Sequence, residues 1–177
     1  MSNPAGAPEI VWQGKFITVR KWANWEFVGR ARGIRAAVIV AVDQDHILLV
    51  EQYRVPLGRN CLELPAGLVG DDTEGEPIET AAARELEEET GYRAGHISVI
   101  GEFASSPGMV SETFHLVRAE GLTRIGDGGG VDGEGIIVHR IALADVPAFV
   151  AAKRAANVVI DTKLLLLLGA NILGGAR

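Results

Sequence analysis

The run from Gly67 to Tyr92, GLVGDDTEGEPIETAAARELEEETGY, constrains this chain more than any other stretch, because it gathers carboxylates where a folded helix tolerates them least. Pro77 suits a first helical turn, the alanines Ala81 to Ala83 favour helix, and Gly91 stands where a helix stops. The reading is a loop followed by a helix from about Glu76 to Thr90. At about 100° per residue, Ile78, Ala81, Ala82, Glu85, Leu86, Glu88 and Glu89 share one side, while Glu79, Thr80, Ala83, Arg84 and Glu87 take the solvent side. Three carboxylates therefore lie on the apolar face. Glutamates that served only solubility would sit opposite the alanines, and only Glu87 clearly does. Glu85 with Glu88, and Glu85 with Glu89, are like-charge neighbours, each pair costing roughly 0.2–0.5 kcal/mol when exposed and more when desolvated. A cation among them would relieve that cost. Oxygen-only ligands with no His or Cys nearby suit Mg²⁺ or Mn²⁺ rather than zinc. A solvated acidic helix is the plainer alternative; the shared face favours the metal.

Gly70, five residues, Glu76, seven residues, then Arg84-Glu85-Leu86-Glu87-Glu88-Glu89-Thr90-Gly91-Tyr92 resembles, at every fixed position, the Nudix box of nucleoside-diphosphate hydrolases. The resemblance implies that Glu85, Glu88 and Glu89 hold divalent metal, in agreement with the helical-face argument. Leu-Pro-Ala-Gly ahead of the box resembles relatives whose box glycine is the Gly67 of this segment, so Gly70 fits the spacing and Gly67 the context. In that branch, the ADP-ribose and nucleotide-sugar pyrophosphatases, the carbonyl at Ala66 helps to ligate metal. The arginine of Glu51-Gln52-Tyr53-Arg54 binds substrate phosphate there. Glu63, on alternation, faces the core as a paired carboxylate.

The resemblance also covers the segments after the helix. Pro107 lies sixteen residues beyond Gly91, the spacing of the ADP-ribose pyrophosphatase marker, and Glu112 ends the same loop beside metal or substrate. The segment Gly121 to Gly135 is glycine-rich and acidic and is expected to be a mobile loop. It holds neither GxGxxG nor GxxxxGK[ST], so it is no phosphate-binding glycine loop. In similar enzymes a loop at this place supplies the base that activates water, and alignment on the next strand offers Glu134 and Asp132, with Glu134 favoured for reach.

At 177 residues, 47% hydrophobic and 23% charged, the chain supports one sizeable core and a small appendage. A net charge of −6 with no Lys/Arg cluster argues against nucleic acid. The lone Cys61 forms no intramolecular disulfide and fits a reducing, cytoplasmic setting as a buried strand residue. No basic-then-apolar signal opens the chain, and Leu164 to Leu168 is far shorter than the ~20 residues of a membrane span, so it is expected to be a buried helix.

Residues 1–33 are expected to form an N-terminal β segment. Val11-Trp12, Phe16 to Val19 and Trp25 to Val28 read as short strands that cannot stand alone, and all three tryptophans fall there. The resemblance implies that this segment makes a homodimer, and Trp25 or Phe27 could stack on a base. Residues 34–177 are expected to form the hydrolase domain, with strands at Ala36–Val42, His46–Tyr53, Ile97–Phe103, Thr113–Arg118 and Ile136–Leu143, and closing helices at 144–155 and 161–173. The elements give an α/β fold, a Nudix-type α/β/α sandwich around a mixed sheet with a small N-terminal antiparallel sheet. The expected reaction is Mg²⁺-dependent hydrolysis of ADP-ribose to AMP and ribose 5-phosphate. Another nucleotide sugar such as GDP-mannose, or a non-catalytic nucleotide-sensing module, is the alternative.

Overall fold

The computed structural model describes residues 6–31, 34–70, 75–131 and 133–173. The chain opens with β1 (Glu9–Gln13), β2 (Ile17–Trp22) and β3 (Trp25–Arg30), a three-stranded antiparallel sheet in that order. It is held to the rest of the chain through backbone pairing, since Val28 N–H donates to Met109 O at 2.9 Å and Ser111 N–H to Val28 O at 2.8 Å. Ile10, Val11, Trp12 and Trp25 of this sheet, and Phe16 just before β2, stay half or more exposed.

The larger part of the chain follows with β4 (Arg35–Asp43), β5 (His46–Arg54), a 3₁₀ turn at Val55–Leu57, β6 (Arg59–Glu63), β7 (Ala66–Val69), α1 (Ile78–Thr90), β8 (Tyr92–Arg93), β9 (His96–Ala104), β10 (Thr113–Glu120), β11 (Thr123–Arg124), β12 (Ile137–Ala142), α2 (Val146–Ala155), β13 (Val159–Ile160) and α3 (Leu165–Leu173). The β4–β5 hairpin pairs only at its turn, Val42 with Ile47 and Asp43 with His46. Beyond it the two strands diverge: β4 pairs with β7 and, in parallel, with β10, which carries β9, while β5 pairs with β6 and β12, and β6 carries β13 in parallel. The result is a mixed sheet of eight strands that splays open past the hairpin.

Helices cover both faces. On β4, Ala37, Ile39 and Ala41 pack with Ala81, Ala82 and Leu86 of α1, while the alternate residues Val38 and Val40 pack with Val146 and Val150 of α2 and with Leu164. Alternation explains why AAVIVAV is apolar throughout: a strand covered on both faces has no side left for polar residues. Of the buried carboxylates Glu51, Glu63 and Glu89, the first ties elements together. Glu51 accepts from Lys153 Nζ at 2.6 Å and Asn60 Nδ2 at 2.8 Å and meets His139 Nε2 at 3.2 Å, which ties α2, β6 and β12 to β5. A buried charge paired on three sides satisfies its desolvation cost.

Three expectations change in detail. The helix starts at Ile78, because Pro77 takes an extended conformation and caps it, leaving Glu76 in the loop. Leu164 is fully buried, yet Leu165 and Leu166 are 51% and 59% exposed, so the leucine run is a one-sided surface helix preceded by a 3₁₀ turn. Cys61 lies on a strand, β6, as expected, whereas four short strands, β7, β8, β11 and β13, go beyond the expected set, being two to four residues long with little alternation to mark them. Cys61 is buried on β6, and burial pushes its thiol up to about 12, which leaves it unreactive. No described helix is long and apolar enough to cross a membrane.

Candidate active site

The splayed sheet leaves a cleft of about 450 Å³ between β4, β7, the exposed end of α1 and the loop before β12, lined by Arg30, Gln52, Arg54, Ala66, Gly67, Arg84, Glu85, Glu88, Glu89 and Glu134 among others. Helix α1 sets the three box glutamates at different depths. Glu89 is 7% exposed and accepts from the Ala66 N–H at 3.0 Å. Glu85 is half-buried, and Glu88 opens to solvent. Gly67 makes room for Glu85: a Cβ on Gly67 would fall 1.9 Å from Glu85 Cδ. Gly70 has its own requirement, a left-handed φ of 83°.

Arginines line the same cleft. Arg54 is locked by a two-pronged contact to the buried Glu63, Nε to Oε1 at 2.6 Å and Nη2 to Oε2 at 2.8 Å, so the core-facing carboxylate has a specific partner. Arg84, assigned by helical geometry to the solvent face, instead curls back over the cluster. Its Nη1 lies 2.8 Å from Glu85 and 3.4 Å from Glu88, its Nε 3.7 Å from Glu76, and Nη2 donates to Leu68 O at 3.3 Å. A long side chain reaches across a boundary that a wheel of Cα positions cannot show, and unbalanced negative charge draws it; Glu88 four residues on was the available signal. Arg30 and Gln52 line the cleft as well; nothing local marks Arg30, and in the Glu51-to-Arg54 segment only the arginine carried an expected role.

The remaining candidates divide among three places. Glu134 reaches the cleft, and its carboxylate accepts from Val131 N–H at 3.0 Å. Asp132 lies outside the described residues. Glu112 does not line the cleft: it accepts from Arg30 Nε at 2.7 Å in an adjoining 160 Å³ cavity with Arg20 and Arg35, and Arg30 is common to both. Trp25, Phe27 and Pro107 come together with Trp22 and Val110 in a separate apolar concavity of about 340 Å³. The glycine-rich segment does not project as a free loop, because its backbone is bonded to the end of α1.

With this arrangement established, a family model described as NUDIX domain matches residues 31–159. The chain belongs to the Nudix family. Among similar proteins, ADP-ribose pyrophosphatase of Bacillus subtilis is 44% identical over 87 residues, covering 49% of this chain and 45% of the relative. GDP-mannose pyrophosphatase of Cronobacter sakazakii is 35% identical over 146 residues, covering 77% of this chain and 72% of the relative. The crystal structure of ADP compounds hydrolase superposes with a TM-score of 0.68 at 23% identity, covering 98% of this chain and 96% of that one, which shows the shared fold. Across several of its curated relatives the chain spans only 44% to 63% of their length.

Nudix pyrophosphatases generally use a divalent metal. The donor chemistry of this Nudix cleft fits one: every acidic ligand candidate is an oxygen donor, and Glu85, Glu88, Glu89 and Glu134 crowd into one cleft. Burial raises Glu85, with Glu88 and Glu134 adding to the rise against Arg84. Burial pushes Glu89 up to about 8, opposed by the Ala66 N–H and reinforced by Glu85 and Glu134. Among the described residues no three acidic, His or Cys side chains are close enough to hold an ion as they stand, and Arg84 is paired with Glu85 and Glu88.

Glu89 gives a pH signature. The folded chain keeps its proton up to about 8 whereas the unfolded chain releases it near 4.5, so between these values the unfolded state binds fewer protons. The metal-free protein is therefore expected to lose stability, on the order of a few kcal/mol at most, as pH rises from about 5 to about 8. Denaturant melts in EDTA check this, with Glu89→Gln expected to flatten the slope. Equal slopes for the two proteins would remove Glu89 as its source.

Proposed function

We propose that this chain hydrolyses the diphosphate of ADP-ribose, water adding across one P–O–P bridge to give AMP and ribose 5-phosphate. The observation that carries the proposal is a cleft that gathers Glu85, Glu88, Glu89 and Glu134 together with Arg30 and Arg54. Such a lining suits a dianionic diphosphate neutralised by a cation and by guanidinium groups. Mg²⁺ or Mn²⁺ would be held by Glu85, Glu88, Glu89 and the Ala66 carbonyl, with Arg84 releasing Glu85 as it enters. Bound there, the ion supplies neutralisation of the diphosphate and a lowered pKa for the attacking water.

The chain's own groups do the rest. Arg54, held rigid by Glu63, presents its charge to a phosphate oxygen. Glu134 takes the proton of the water, with Asp132 the other acidic group of that loop. Glu112 orients Arg30. Trp25, Phe27 and Pro107 form a concavity apart from this cleft, so in the proposed homodimer they would offer their apolar surface to the base of a substrate bound by the partner copy. The relatives' names support ADP-ribose, and the match to GDP-mannose pyrophosphatase over 77% of the chain keeps that nucleotide sugar as the second reading. We assign residues 1–33 to a dimerisation segment within a homodimer, on the exposed Trp12, Phe16 and Trp25. A cytoplasmic location fits the single buried, unpaired Cys61.

Phosphate release tests the reaction, coupled to a phosphatase that accepts only monoesters. The panel is ADP-ribose, GDP-mannose, UDP-glucose, NADH and diadenosine polyphosphates, with Mg²⁺ and with EDTA. The expected result is Mg²⁺-dependent preference for ADP-ribose. Preference for GDP-mannose selects the second reading, and no turnover of any member would leave a nucleotide-binding module.

A further inference from the structure

The glycine run before Glu134 crosses the end of α1 at van der Waals limits. Gly129 N–H donates to Glu89 O at 2.8 Å and Gly130 N–H to Glu88 O at 3.0 Å, while Ile125 N–H donates to Gly91 O at 2.8 Å. These bonds satisfy carbonyls that the last turn of a helix leaves without intrahelical partners, and two of the three belong to box glutamates. The crossing requires glycine on both sides. A Cβ on Gly91 would lie 2.4 Å from Gly126 O, and a Cβ on Gly128 would lie 2.4 Å from Thr90 C and 2.6 Å from Glu89 O. Both residues also hold left-handed φ, 72° and 67°. Because the obstructing atoms are backbone, no rotamer change relieves them.

From this crossing the loop returns as a closed ring. Ile136 N–H donates to Gly129 O at 3.2 Å, and Glu134 N–H donates to Val131 O at 3.1 Å. The Glu134 carboxylate is folded against Gly130, where a Cβ would fall 2.2 Å from Oε2, and Gln52 Nε2 reaches Glu134 O at 3.4 Å. Its position is thus referenced to the backbone of Glu88 and Glu89.

We propose that Gly128 to Gly130 form a backbone clamp that fixes the distance between the Glu134 carboxylate and the box glutamates, with Gly128 a positioning residue for the water-activating step. The inference rests on the proposed roles of Glu88, Glu89 and Glu134. It assigns the glycines a purpose distinct from loop freedom: they bring two backbones together so that a base and a metal set on separate elements keep one geometry.

The test compares Gly128→Ala with Gly126→Ala. Gly126 lies in the same run, but a Cβ there meets nothing within 4 Å and its φ is ordinary, so it reports general sensitivity of the segment. Gly128→Ala is expected to lower kcat on ADP-ribose by about a hundredfold, the scale of a 1 Å misplacement, with KM nearly unchanged, whereas Gly126→Ala keeps both. A merely structural glycine would cost melting temperature without separating kcat from KM. Wild-type kcat in Gly128→Ala, or an equal loss in Gly126→Ala, overturns the clamp. Amide hydrogen exchange on the wild-type protein provides a readout free of activity and of variant folding: the Gly129 and Gly130 amides should be protected to the level of the α1 interior. Fast exchange at both overturns the clamp even if ADP-ribose is turned over, and protection with no turnover keeps the clamp while rejecting the proposed reaction.

Discussion

Replacing Glu89 with glutamine is expected to lower Mg²⁺-dependent turnover by at least about a hundredfold, the scale of losing one preorganised electrostatic contact at a transition state. The argument follows from its position. Glu89 is the deepest of the three box glutamates, and its carboxylate accepts from the Ala66 N–H. Glutamine keeps that bond through its amide oxygen and keeps the volume, so the fold should persist. What it loses is negative charge, which a divalent ion needs and which the metal-free protein tolerates poorly. The same substitution should therefore raise the stability of the metal-free protein at about pH 8 while removing activity, because the buried carboxyl no longer has to ionise there. A stabilised but inactive variant separates a site residue from a packing residue. Steady-state turnover at saturating Mg²⁺ together with melts in EDTA measures both, and unchanged turnover would discard the metal assignment.

Gly67→Ala should reach a similar loss by displacement. Its Cβ would overlap Glu85, with Cδ at 1.9 Å and Oε1 at 2.3 Å, and the obstructing atoms are the end of a flexible side chain. The backbone has no reason to move, since Gly67 lies in the regular β7–β4 ladder opposite Ala37. Glu85 must swing out of the cleft instead. We expect kcat to fall on the order of a hundredfold, with an apparent Mg²⁺ requirement shifted to higher concentration and little change in melting temperature. Activity within about twofold of wild type would show that the carboxylate of Glu85 works from another rotamer. The result also bears on the two glycines at the entrance to the box. Gly67 is required for the space beside Glu85 and Gly70 for its left-handed backbone, so each has a physical reason to be glycine and neither substitutes for the other.

Much of the fold was legible because it follows from short-range periodicity. The apolar strands β4 and β5, the helix α1 with its alanine face, and the placement of Glu85 and Glu89 toward the core follow from alternation and a 3.6-residue repeat. The short strands β8, β11 and β13 were not legible, since two residues carry no period and pair only because longer elements bring their partners near. Arg84 marks the limit within one helix: position on a wheel gave its Cα direction, while the reach of its side chain toward three carboxylates depended on the charge that folding concentrates. The glycine-rich segment marks the limit for composition. Its glycines suggested freedom, but the run is pinned to α1 by hydrogen bonds that require the close approach only glycine permits.

The sequence by itself determined the chemical inventory: a helix with carboxylates on its buried face, an arginine at the end of β5, and an acidic glycine-rich segment, all written in local spacing. Tertiary structure alone decided which of these share a cleft. It placed Glu134 with the box glutamates, sent Glu112 to Arg30, and grouped Trp25, Phe27 and Pro107 elsewhere. It also paired Arg54 with Glu63. Those outcomes depend on where a splayed sheet opens and on backbone contacts between residues more than thirty apart in sequence, such as Glu89 and Gly129, which no local pattern encodes.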